Sequence, residues 1–193
     1  MGSQWGYDRT YIRAKHEGYR SRAAYKLLEI QQKFSIIRPD DNVVDLGAAP
    51  GSWLQVLRTL TEGGVVGVDL NQIAHLDGVT TIEGNLNDPE VQGQVKRILG
   101  TVSVVVCDAA PKLSGHKSYD QARIIELNEQ ALAFACKVLK QGGNFAIKSF
   151  QGTDFPELYA STKEHFHSVK TCITRSTRKG STELYIVAKN FIG

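Results

Sequence analysis

The sequence contains only three cysteines, Cys107, Cys136 and Cys172, odd in number and widely spaced. That argues against a disulfide framework and against a zinc site, and it fits reduced, mostly buried thiols. Long hydrophobic runs are also missing. None approaches the roughly 20 residues needed to cross a bilayer, and Met1 to Arg9 holds no apolar core of signal-peptide type, so a soluble, cytoplasmic chain is expected. There is no repeat and no low-complexity linker, and 193 residues suffice for one domain with a sizeable core. Residues 1–193 therefore read as a single domain, with a basic arm and helix at about 1–38. No His/Cys cluster offers a metal site, so none is expected. The nicotinamide fingerprint G-x-G-x-x-G is absent too.

Net charge is small, +3, yet it is unevenly placed: residues 1–40 carry eight Lys/Arg against four Asp/Glu. A local basic excess attracts phosphate backbones even on a nearly neutral protein, although a solvated helix face explains it equally well. Trp5, Tyr7 and Tyr11 stand among Arg9, Arg13 and Lys15, in what reads as an arm or a short helix. From Ser21 to Lys33 the spacing of Ala24, Leu27 and Leu28 predicts an amphipathic helix. Arg20, Arg22 and Lys26 near its start oppose the helix dipole, which suggests partners elsewhere.

The chain is organised around Asp45-Leu46-Gly47-Ala48-Ala49-Pro50-Gly51-Ser52-Trp53, which follows Val43-Val44 and precedes Leu54, Leu57 and Leu60 at helical spacing. This is a strand, a glycine turn and a helix. Glycines permit a tight bend and close approach to a ligand, and the free amides at the start of the helix face it. A turn that only connects strand to helix is the plainer reading. Val65–Asp69 follows as a doubly buried strand ending in an acid 18 residues beyond Gly51, where α/β nucleotide sites place a ribose ligand. Further strands are predicted at Val79–Glu83, Val102–Cys107, Asn144–Phe150, Val169–Thr174 and Leu184–Ala188, with helices over 88–99, Asp120–Leu139 and Phe155–Phe166. Gln141-Gly142-Gly143 reads as the stop of the long helix. The alternation predicts an α/β fold with a doubly wound, mostly parallel seven-stranded sheet whose last strand runs antiparallel. Asp45, Asp69, Asn85, Asp108 and Lys148 then fall at or near one edge, where such sheets bind ligands.

Lys148 ends an otherwise apolar strand, and an unpaired buried ammonium is costly. Asp108, ending the preceding strand, and Glu183, opening an antiparallel last one, are its expected neighbours. A structural ion pair would satisfy the same pattern.

Five segments resemble the FtsJ/RrmJ family of RNA 2′-O-ribose methyltransferases: Ser21–Leu27, the glycine turn, Cys107–Pro111, Ile147–Gly152 and Glu183–Ala188. The resemblance implies a Lys26, Asp108, Lys148, Glu183 catalytic tetrad and S-adenosylmethionine (SAM) contacts at Gly51, Trp53, Asp69, Asn85 and Asp108. Asn85 stands where the family usually has Asp, but its amide oxygen can still accept from the adenine amine. The implied partner is ribosomal RNA in the large subunit, with a uridine as target and the enzyme a monomer that needs no membrane. Lys148 is the implied base that takes the hydroxyl proton. Lys26 and Asp108 orient the hydroxyl, and Glu183 is a positioning group. A tRNA anticodon-loop methyltransferase and a non-catalytic RNA-binding assembly factor are the alternatives. RNA is expected across Arg9, Arg13, Arg20, Arg22, Lys112, Lys117, Arg175, Arg178 and Lys179.

Overall fold

The computed structural model describes residues 9–111, 114–177 and 180–193; Trp5, Tyr7, Lys112, Arg178 and Lys179 lie outside the described residues, as do the side chains of Arg9, Tyr11 and Lys117. Thirteen elements follow in order: α1 (Arg9–His16), α2 (Ala24–Phe34), β1 (Val43–Leu46), α3 (Ser52–Leu60), β2 (Val65–Asp69), β3 (Thr80–Glu83), α4 (Pro89–Leu99), β4 (Val102–Cys107), α5 (Lys117–Val138), β5 (Leu139–Phe150), α6 (Phe155–His165), β6 (Phe166–Cys172) and β7 (Glu183–Phe191). The seven strands form one sheet in the order β3-β2-β1-β4-β5-β7-β6. β1 to β5 pair in parallel, and β7 runs antiparallel between β5 and β6.

Strand side chains alternate between faces, which divides the core in two. Val104, Val106, Ala146, Tyr185 and Val187 pack under α2 and α3 with Leu27, Ile30, Trp53 and Leu57. Val105, Cys107, Phe145, Ile147 and Ile186 pack on the other face with Val91, Val95, Phe134 and Leu158 from α4, α5 and α6. Burial on both faces is why β1 and β4 are uninterrupted apolar runs apart from Asp45 and Ser103. The cysteines are free, with Cys107 and Cys172 buried. Burial pushes the Cys107 thiol up to about 12, which leaves it inert.

Several boundaries differ from the sequence expectation. α5 starts at Lys117, three residues earlier than expected. Asp120 sits inside it and accepts from Ser114 N, Ser114 Oγ and Gly115 N, which fixes the preceding loop and holds the carboxyl below its usual range. Gly142 and Gly143 do not stop that helix. They lie in a bulge of β5, which pairs Leu139 with Val102 and then Asn144 with Val104. A Cβ on Gly143 would come within 2.9 Å of the Lys140 and Ser103 carbonyls, so the close pass of the two strands requires glycine. β6 begins three residues earlier than expected, because Phe166 is buried against Phe145 and Phe191.

Candidate active site

The parallel strands deliver their carboxyl ends to one edge, and the antiparallel β7 delivers its first residue to the same edge. β4 and β5 are paired at Cys107 and Ile147, so Asp108 and Lys148, the next residues, are neighbours. β5 and β7 pair Lys148 with Tyr185 and Phe150 with Glu183. Positions 148, 183 and 185 share the sheet face that α2 covers, and α2 brings Lys26 down onto them. The segment leading into that helix is docked by three bonds to the first turns of α3: Ser21 Oγ with Ser52 Oγ at 2.8 Å, Arg20 N to Gln55 Oε1 at 2.8 Å, and Trp53 Nε1 to the Ala23 carbonyl at 2.7 Å.

The result is a chain of charges. Lys26 Nζ meets Glu183 Oε1 at 2.6 Å, and Thr177 Oγ1 donates to the same oxygen at 3.0 Å. Lys148 Nζ lies 3.3 Å from Asp108 Oδ1 and also donates to the Asp108 carbonyl. Tyr185 OH donates to Asp108 Oδ1 at 2.6 Å, while Lys26 Nζ lies over its ring, 5.8 Å from the centroid. Tyr185 therefore bridges the two pairs. Burial and the adjacent Asp108 charge push its phenol well above the ordinary range, so it stays protonated and donates. Sequence reading gave Tyr185 no role, since a tyrosine in an apolar strand reads as a packing residue. Asp108 and Glu183 were both expected beside Lys148; Asp108 pairs with it, while Glu183 pairs with Lys26.

Beside this cluster opens a cavity of about 630 Å³, lined by Gly47, Ala49, Asp69, Asn85, Asp108 and Lys148 among others, and large enough for a nucleoside cofactor. Asp69 ties the turn to β2: Oδ2 accepts from Ala49 N at 3.0 Å, and Oδ1 accepts from Asn71 N at 2.8 Å. Asn85 Oδ1 accepts from Asn87 N at 3.0 Å. Leu70, 68% exposed, lies on the cavity wall between them, an apolar surface suited to a base. Gly47, at φ +68°, admits Ala109 so closely that a Cβ would stand 2.4 Å from the Ala109 Cβ. Gly51 caps α3 at φ +102°. The Trp53 side chain is buried, 2% exposed, against Tyr185 at a centroid distance of 6.0 Å, and it does not line the cavity. Its main-chain amide lies in the first turn of α3.

Asp45, placed by the sequence at or near the ligand-binding edge, does not line the cavity. It is 1% exposed and neither carboxylate oxygen has a hydrogen-bond partner. Burial, then Asp108 and Asp69, raises it well above the usual carboxylate range. Among the described residues no cluster of three or more His, Cys, Asp or Glu is arranged for a metal, and no helix is long and apolar enough to cross a membrane.

The expected basic surface is differently organised. Arg20 lies across the glycine turn, donating to the carbonyls of Pro50, Ala74 and His75 at 2.9, 2.9 and 2.8 Å, and so holds the cavity wall together. Arg13 pairs with Glu17 at 2.7 Å, and Arg175 lies 3.9 Å from Glu29; both line one groove beside α2.

The profile of the FtsJ-like methyltransferases matches residues 19–191, nearly the whole chain. This chain belongs to that family. An FtsJ-like methyltransferase of Methanoregula boonei, named ribosomal RNA large subunit methyltransferase E, is 70% identical over the full length of both chains. A protein of the same name from Methanosphaerula palustris is 68% identical over all of this chain and 95% of its own. Among solved structures, a Plasmodium falciparum protein assigned as a ribosomal RNA methyltransferase superposes with a TM-score of 0.80 at 29% identity, covering 91% of this chain and 100% of that one. FtsJ-like relatives thus support methylation of ribosomal RNA by this fold.

Proposed function

We propose that this FtsJ-like methyltransferase transfers the methyl group of SAM to the ribose 2′-hydroxyl of a uridine in large-subunit ribosomal RNA. The observation that carries the reading is the joining of Lys26–Glu183 and Lys148–Asp108 through Tyr185 at the mouth of a nucleoside-sized cavity. The cavity residues fit SAM: Asp69 at the ribose, Asn85 and Leu70 at adenine, and Asp108 toward the methionine end, while Gly51 and Trp53 stand outside the cavity lining, at the start of α3. When bound, SAM supplies a methyl group on a sulfonium sulfur. The protein's own part is positional and proton-handling. Lys148 Nζ, as the free amine, takes the proton of the 2′-hydroxyl as that oxygen attacks. Asp108, fixed by Tyr185, and Lys26, fixed by Glu183, hold the hydroxyl in line.

Labelled SAM incubated in parallel with undermodified large subunits and with tRNA tests the reading. Label is expected in the subunit, recovered after nuclease digestion as 2′-O-methyluridine. Label confined to tRNA would move the assignment to the anticodon-loop alternative. Asn85→Asp is expected to leave turnover intact and to change SAM affinity by about 1 kcal/mol or less, the scale of one hydrogen bond. Calorimetry with SAM checks it, and loss of binding would remove Asn85 from the adenine site.

A further inference from the structure

Three lysines outside the site converge on a second concavity, of about 300 Å³, on the α2 side of the sheet. Lys33 comes from the last turn of α2, Lys170 from the edge strand β6 and Lys189 from β7. The register pairs Lys170 with Val187 and Ser168 with Lys189. Lys170 and Lys189 are thus diagonal neighbours, their Cβ atoms about 7 Å apart. Two of the ammoniums are pinned by main-chain carbonyls, Lys189 Nζ on Phe34 O at 2.9 Å and Lys33 Nζ on Ile173 O at 3.3 Å, with further donors of each left over. No carboxylate lines the concavity, and among the described residues none of the three lysines has an acidic partner.

Three like charges in one concavity repel one another, and the arrangement is favourable when an anion occupies it. Lysine on an edge strand also blocks strand addition. That accounts for Lys170 alone, because Lys189 lies on an inner strand and Lys33 on a helix. The Ser168 hydroxyl and the Asn190 side chain complete a lining suited to phosphate oxygens.

We propose that this concavity binds backbone phosphates of the substrate RNA, at a distance from the methyl-accepting nucleotide. The inference rests on the RNA-methyltransferase reading above and adds a second point of contact. Lys33 is two helical turns from Lys26, about 10 Å along α2, and Lys189 is four residues from Tyr185, about 13 Å along β7. The RNA would therefore reach the lysines a few nucleotides beyond the target.

The test compares the wild type with Lys170→Glu and with the triple variant Lys33→Gln/Lys170→Gln/Lys189→Gln. Lys170 is exposed and makes no described bond, so its substitution leaves the packing alone. Anisotropy with a labelled large-subunit rRNA fragment is read across a salt series, beside calorimetry with SAM and single-turnover transfer at saturating RNA. Lys170→Glu is expected to weaken RNA binding about tenfold and to lower the slope of log affinity against log salt by about one. The triple variant is expected to lower that slope by about two to three, while SAM binding and the saturated transfer rate remain those of the wild type. Unchanged RNA affinity and slope in Lys170→Glu, with a wild type that binds and methylates RNA, would overturn the phosphate site and leave the enzymatic reading standing. Binding of a polyglutamate peptide that depends on Lys170 while RNA binding does not would equally overturn it. A wild type that neither binds nor methylates RNA would remove both.

Discussion

Lys148→Ala is expected to lower single-turnover methyl transfer by about 10²-fold or more, with SAM binding retained. The lysine reaches the edge of the sheet on a buried strand and, among the described residues, its charged partner is Asp108, so its removal deletes one amine and little packing. Asp108 keeps its bond from Tyr185 OH, which holds the carboxylate in place without Lys148. Charge and proton transfer are separated by a second variant. Lys148→Arg preserves the positive charge, but a guanidinium does not give up its proton in a protein. Arginine is therefore expected to be nearly as inactive as alanine. Rapid-quench measurement of label transfer, with thermal melts to establish folding, decides the matter. Near-native transfer by either variant would require another base.

Gly47→Ala is expected to be the most damaging single methyl group that can be added to the chain's central turn. The left-handed backbone at φ +68° costs a non-glycine residue about 1–2 kcal/mol. The new Cβ would also stand 2.4 Å from the Ala109 Cβ and 3.1 Å from its Cα, contacts no rotamer change can relieve. Overpacking of this kind costs a further 1–3 kcal/mol or so. For a domain of this size, roughly 2–5 kcal/mol in all corresponds to a fall in Tm of about 4–20 °C. Ala109 follows Asp108, so the same displacement disturbs the Asp108–Lys148 pair. Gly18→Ala provides the comparison, since Gly18 has φ +80° with nothing within 4 Å of a new Cβ. Equal melting temperatures for the two variants would show that the close approach carries no energy.

The features most legible in the sequence were those written in local pattern. The doubly buried run Val65–Asp69, the glycine spacing and the lysine closing an apolar strand each announce their place in a parallel sheet, and the antiparallel course of β7 brings Glu183 to the edge shared by Asp108 and Lys148. Features written in distant contacts were hidden. Arg20 reads as a ligand-facing cation near a helix start, but its partners are carbonyls 30 to 55 residues away. The glycines 142 and 143 carry the signal of a helix stop, and only the strand beside them reveals a bulge. Trp53 belongs to the glycine turn by sequence and to the core by position. Asp45 looks like any acid at a strand end until its neighbours close over both oxygens.

The place of β7 between β5 and β6 also governs when the site comes into being. Lys26 and Glu183 are 157 residues apart, and the strand carrying Glu183 must enter the sheet between two strands made before it. The cavity walls at Gly47, Asp69 and Asn85 belong to the first half of the chain, yet the charged cluster spans nearly all of it. Closing so long a loop costs more entropy than any local pairing in the fold, and non-local strand pairing of this kind is slow. Until that strand is in place, Lys26 lacks its carboxylate partner and Asp108 lacks the bond from Tyr185. The last strand completes the charged cluster.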